Sequence, residues 1–290
     1  MQKTQKSRVS RSNHLISFLL LLGVTASVCM FIYPEVSDAF LQLHSNDSVA
    51  GYIADMDSLS EVERLDAKEQ ALSYNASLAE EQLQTPFLYQ GADVTDTAYE
   101  ACLSQGEKDE MCYIEIPEIQ VYLPVAHGTV ADKLRYECGH MYGTSLPVGG
   151  SSSHAVIAGH TGLRSAKIFT DLTDLEIGDY FYIHVLGEIH GYRIEEMQTV
   201  LPEEADAALQ IQKGRDLITL YTCTPYGIND HRLLVRGARV YPDINNDESQ
   251  TDQLILKDSN HKAFIRLILL CMLPTLILLE GFLVFIRKKQ

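Results

Sequence analysis

The chain has 290 residues, 46% of them hydrophobic and 21% charged, with no tryptophan and a formal net charge of −16. That length allows one large core plus membrane segments, or two small domains. The acid excess argues against nucleic acid as a partner, because a phosphate backbone asks for a basic face.

Residues 1–14 form a basic tail with Lys3, Lys6, Arg8 and Arg11. An apolar run follows at 15–33, and a second occupies 263–286 before the basic end 287–290. Each is long enough to cross about 30 Å of hydrocarbon as a helix. Positive charge before the first and after the second predicts both termini in the cytoplasm, at a cell membrane, with the middle outside. No small-x-small site precedes Pro34, which favours a retained anchor over a cleaved signal peptide. Glu280 is costly in lipid and belongs near a helix end or a partner. Eight of the 23 Lys and Arg and one of the 39 Asp and Glu lie in these flanks, so the outer part carries a net charge of −23. An acidic exterior keeps a domain soluble and can attract a lysine-bearing substrate.

Residues 34–110 read as a helical segment and a loop. Leu59, Val62, Leu65, Leu72 and Leu78 recur at helical spacing, predicting a helix over 58–83, with Ser58 and Glu61 as its capping box and Pro86 as its stop. From 111 to 243 the period changes to two. Short runs rich in Val, Ile, Leu, Tyr and Thr fall at 112–116, 121–125, 154–158, 180–185, 192–200, 217–222 and 233–241. They predict a mainly β domain, an antiparallel barrel or sandwich, with short helices near 132–136 and 165–175. Residues 244–262 read as a linker. Cys102, Cys112, Cys138 and Cys223 lie in the outer part, where disulfides can form, and Cys102 with Cys112 is one plausible pair.

The chemistry concentrates at strand ends. Leu217, Thr219, Tyr221 and Cys223 alternate onto one face of a strand that Pro225 and Gly227 break. Arg232, Leu234 and Arg236 share a face of the next strand. A thiolate there can attack a carbonyl, and a guanidinium beside it can steady the oxyanion or grip a substrate. His160, after an apolar strand and between Gly159 and Gly162, stands at a matching position for a base. His184 and His190 are too isolated for a zinc site, and no phosphate loop occurs, so neither metal nor cofactor is expected.

"HAVIAGHTGL" followed by "LITLYTCTPYGINDHRLLVRG" resembles the sortases, the cysteine transpeptidases of Gram-positive cell surfaces. "YIEIPEIQVYLPVAHGT", "GHMYGTSLPVGG" and "GLRSAKIFTDLTDLEIGDYFYIHVLGE" extend the resemblance to class C, the pilin-polymerising sortases. It implies an eight-stranded sortase-type β-barrel with an amino-terminal helical segment, a lid and two transmembrane helices. It implies Cys223 as nucleophile, His160 as acid and base, and Arg232 as oxyanion stabiliser. Thr222 and Arg236 become candidate substrate contacts. The implied partners are pilin subunits carrying an LPXTG-like sorting signal, cut between Thr and Gly, and an acceptor lysine. The sequence departs from the class in Thr161 and Arg164, where Arg and Pro are usual. A class C lid carries Asp-Pro-aromatic; here Pro86 and Phe87 fit, with Thr85 in place of Asp, so a looser lid is expected. The alternatives are a housekeeping sortase that anchors proteins to peptidoglycan precursor and a non-enzymatic anchored binding module.

Overall fold

A computed structural model of the protein describes residues 2–82, 84–85, 87–89, 96–104, 110–162 and 167–240, with scattered positions between 265 and 281. The chain divides into two compact units, Met1–Phe40 with His261–Gln290, and Leu41–Asn260.

The first unit contains the start of α1 (Gln2–Ser58). Among the described residues, the part of α1 after Leu19 is the one helix long and apolar enough to cross a membrane. Its hydroxyls turn back on the helix itself, Thr25 Oγ1 donating to Leu21 O at 2.8 Å and Ser27 Oγ to Gly23 O at 2.9 Å, as an apolar surrounding requires. Pro34 sits inside α1. It withholds one N–H from the ladder without ending the helix, so α1 runs well past the predicted span. Glu35 pairs with Arg266. The second predicted span, the linker 244–262 and the tail 287–290 lie largely or wholly outside the described residues.

In the second unit, α2 (Glu61–Gln82) is capped two residues later than the sequence suggested. Ser60 and Glu63 form the box: Glu63 N donates to Ser60 Oγ at 3.3 Å, and Ser60 N to Glu63 Oε2 at 2.8 Å. The buried face is also different. Ala67, Ala71 and Asn75 face inward, while Val62 and Leu65 are 66% and 56% exposed. Small side chains let the helix lie close enough for Asn75 to clasp a backbone, its Nδ2 donating to Leu146 O at 3.0 Å and its Oδ1 accepting from Leu146 N at 2.7 Å. Lys68 reaches Glu188 at 2.6 Å, and His190 meets the same carboxylate at 2.9 Å. These hydrogen bonds, His190 first, hold Glu188 down at about 2. A short α3 (Thr97–Ala101) follows, capped by Asp96.

Eight strands then close a barrel: β1 (Glu110–Ile116), β2 (Val121–His127), β3 (Cys138–His140), β4 (Ser153–Ala158), β5 (Tyr180–Val185), β6 (Glu188–Val200), β7 (Asp216–Thr224) and β8 (His231–Arg239). Their order around it is β1-β2-β3-β4-β7-β8-β6-β5. The barrel is not wholly antiparallel, because β2–β3 and β4–β7 run parallel. Three-residue β3, with a central glycine, carried no alternation to read. The predicted short helices are 3₁₀ turns at Lys133–Arg135 and Thr170–Asp174. Ile114, Ile157, Phe181, Ile183, Tyr192, Ile218, Leu220 and Val235 fill the interior. Gly237 makes room there: a Cβ would stand 2.5 Å from the Phe181 ring. A second cluster, Phe87, Met141, Val156, Leu209 and Leu234, lies on the opposite face of β4 and β8.

Candidate active site

Alternation along β7 sends Ile218 and Leu220 into the core and leaves Cys223, half-buried, on the other face. The strand ends at Thr224. A turn then forms in which Ile228 N and Asn229 N both donate to Pro225 O, at 3.1 and 3.0 Å, and β8 begins at His231. The return sets the register so that Cys223 faces Arg232 directly. Directly opposed residues share a face, with Cβ atoms about 5 Å apart. Arg232 Nε donates to Tyr221 Oη at 3.1 Å, and Nη1 donates to Asn229 O and His231 O at 3.1 and 3.0 Å. Among the described residues Nη2 has no hydrogen-bond partner. Burial raises the Tyr221 phenol above its ordinary value, so at neutral pH it is an uncharged acceptor for the guanidinium.

β4 ends beside β7. Ala158 pairs with Tyr221, and the ladder continues one step as Gly159 N donates to Tyr221 O at 3.0 Å. His160 therefore leaves β4 at the level of Cys223. Its backbone is braced from two sides. Phe169 N donates to His160 O at 3.0 Å, and Thr222 Oγ1 donates to Gly159 O at 2.7 Å. Thr161 Oγ1 donates to Phe169 O at 3.0 Å and lies 3.0 Å from Thr222 Oγ1. Gly159 is obligatory here, since a Cβ would stand 2.6 Å from the Phe169 ring. Partial burial lowers the His160 imidazole below its usual value, because desolvation penalises the charged ring.

The other two candidates are placed as follows. Thr222 braces the Gly159–His160 backbone and is buried on the face opposite Cys223. Arg236 faces Thr219, four residues from Arg232, and is engaged by Glu195 at 3.1 Å and by Glu196. The expected Cys102–Cys112 disulfide is absent: both are free thiols, as is Cys138. Cys112 points into the barrel, and Cys102 donates to Ala98 O at 3.2 Å across the end of α3. Burial raises the Cys112 and Cys138 thiols and keeps them protonated. Among the described residues, no group of three or more His, Cys, Asp and Glu side chains could hold a metal ion.

Pro86 lies outside the described residues, but Phe87 is placed. It is 5% exposed among Met141, Val156, Leu209 and Leu234, with Tyr221 packed on the cluster. Tyr221 and Leu234 face each other one step before Cys223 and Arg232 on the same strand face. Phe87 itself is anchored by an amide. Gln210 Oε1 accepts from Phe87 N, and Gln210 Nε2 donates to Phe87 O, both at 2.9 Å. Tyr89 N adds a bond to Asp206 Oδ2 at 3.1 Å. Phe87 is thus held by an amide clasp, with Thr85 where an acidic residue was expected. No sequence pattern marks Gln210. Tyr221 was on the alternating face already, but its hold on Arg232 required the register.

A thiol, an imidazole and a guanidinium at adjacent strand ends, with a covering aromatic segment nearby, suit acyl transfer through a thioester. Comparison with known proteins gives the same direction. The sortase-domain family profile matches residues 114–240. The chain is 41% identical to sortase C-1 from Actinomyces oris, with a TM-score of 0.56 over 62% of this chain and 99% of that one. It is 35% identical to sortase C from Streptococcus pneumoniae, a structure described as bearing on pilin substrate specificity, with a TM-score of 0.59 over 66% and 94%. It is 28% identical over 148 residues to sortase A from Bacillus anthracis, covering 51% of this chain and 68% of that protein.

Proposed function

The chain belongs to the sortase family of cysteine transpeptidases, and on that premise we propose that it is a membrane-anchored class C enzyme. It cleaves an LPXTG-like sorting signal between Thr and Gly and transfers the acyl group to a lysine of another pilin subunit. The observation that carries this reading is the register of Cys223 against Arg232, with His160 leaving the parallel strand at the same level. The class C structures among its relatives, and Phe87 packed on the same strand face, support pilin assembly over peptidoglycan anchoring.

The steps follow from the groups. Cys223 passes its thiol proton to His160, and the thiolate adds to the threonine carbonyl carbon, forming a C–S bond as the C=O π bond opens to an oxyanion. Arg232 is already tied through Nε and Nη1, so Nη2 is left to donate to that oxygen at no cost in reorganisation. The C–N bond breaks as His160 gives its proton to the departing glycine nitrogen, leaving a thioester. A lysine amine then attacks, His160 takes up its proton, the C–S bond breaks, and an isopeptide bond results. The lowered proton affinity of His160 favours giving up its proton to the leaving amine.

Incubating the full-length protein in detergent with an LPXTG-type peptide, and weighing it intact, tests the reading. The expected gain equals the peptide truncated after Thr. It is absent in Cys223→Ala and is discharged by an added lysine amine. A folded protein that gains no mass even when Phe87→Ala opens the site would sink the enzyme reading and leave an anchored binding module.

A further inference from the structure

Gln210 lies between α4 (Ala205–Ala208) and β7 and is held in place through both its backbone and its side chain. The His154 ring donates through Nδ1 to Gln210 O at 2.9 Å, and Thr219 fixes that ring through Nε2 at 2.8 Å. Gln210 Nε2 also donates to Asp206 O at 2.6 Å. The side-chain amide is therefore oriented before it meets Phe87. The contact it makes is that of a β-strand neighbour, one acceptor for the N–H and one donor for the C=O of a single residue. Such a clasp reads extended backbone and ignores the side chain attached to it.

We propose that Gln210 is a backbone-binding residue for the substrate peptide: the amide that clasps Phe87 in the closed protein clasps one residue of the extended sorting signal after the Phe87 segment has left. This rests on the transpeptidase reading above. Two considerations carry it. When Phe87 departs, Oε1 of a half-buried amide is left to water while Asp206 O still holds Nε2, so another peptide can take the same bonds without ordering the side chain anew. The site is also in reach of the reacting bond. Phe87 packs on the cluster that holds Leu234 and Tyr221, and Tyr221 is two residues from Cys223, about 7 Å along an extended chain. The clasped residue must offer an N–H, which excludes the proline of an LPXT sequence; the residues on either side of it are the ones probed below. Segment and substrate then compete for one side chain, and removing that side chain weakens both.

The test uses the full-length protein in detergent, an LPXTG-type peptide, and site-resolved labelling of Cys223 with a small thiol reagent. Phe87→Ala is expected to speed labelling and to lower KM, because it removes only the competitor. Gln210→Ala is expected to speed labelling yet raise KM roughly fivefold to tenfold, the scale of one or two hydrogen bonds. Gln210→Glu, which keeps the acceptor and loses the donor, should fall between, and it serves if the alanine variant does not fold. A single N-methyl group placed on the residue before or after the proline should raise KM at one of the two positions in the wild type and not in Gln210→Ala. If Gln210→Ala behaves like Phe87→Ala, lowering KM, the residue is only a latch and the inference fails while the enzyme reading stands. If neither the wild type nor Phe87→Ala forms an acyl-enzyme, the transpeptidase reading fails first.

Discussion

Arg232 and Arg236 show how much one register assignment decides. Both lie on the same face of β8, and spacing alone made either a candidate for the oxyanion. Pairing with β7 gives Arg232 to Cys223 and Arg236 to Thr219, while Glu195 and Glu196 occupy Arg236. Arg232→Lys keeps the charge but loses the planar fork that binds Tyr221 and Asn229 together. It is expected to lower kcat/KM by about 10²-fold or more, the range seen for loss of one oxyanion donor. The same change at Arg236 should show in a lower melting temperature. Steady-state kinetics beside thermal melts separates the two, and equal kinetic losses would contradict the assignment.

The strands were legible because alternation of apolar residues is preserved wherever one face is buried, as along 112–116 and 180–185. What spacing could not reveal was direction. Nothing in the residues of β4 or β7 says that they run parallel, yet that pairing brings His160 to Cys223. The helix after Ser60 was legible as a helix but not in its orientation, because Ala67, Ala71 and Asn75 carry a specific clasp while the larger Val62 and Leu65 face outward. Family motifs marked Cys223, His160 and Arg232 as candidates, and nothing marked Gln210, whose partner lies 123 positions away. At this scale Gly159 is the sensitive point of β4. Gly159→Ala forces the Phe169 ring aside, and Phe169 also fixes the His160 carbonyl. We expect a stability loss of about 1–3 kcal/mol together with a fall in kcat, read by denaturant unfolding and peptide turnover. Loss of stability with kcat unchanged would mean that the brace does not position His160.

The whole second unit should be sensitive to acid through histidines that take no part in the chemistry. His140 and His154 are fully buried, and burial lowers each imidazole to about 4. Folded, they stay neutral; unfolded, they bind protons below about 6.5. The unfolded state therefore holds more protons between those values, and stability present above pH 6.5 is lost as pH falls toward 4, by up to roughly 3 kcal/mol for each ring. Denaturant midpoints measured across that window should fall steadily, and His154→Gln should flatten the slope; an unchanged slope would show that the ring is not neutral in the folded protein. The parallel union of β4 and β7 has one further consequence. Gly159 and Thr222 are bonded neighbours although 63 positions of chain separate them. The chain between them passes through β5 and β6 and re-enters β7 from the opposite rim, as a parallel pair demands, but the β4–β7 ladder, and not the length of the turns between, sets the distance between imidazole and thiol. Residues can be added or exchanged along this excursion, at the exposed turn around Pro202–Glu204 for instance, without moving the reacting pair. It is a stretch where descendants can acquire a new clientele while inheriting the chemistry intact.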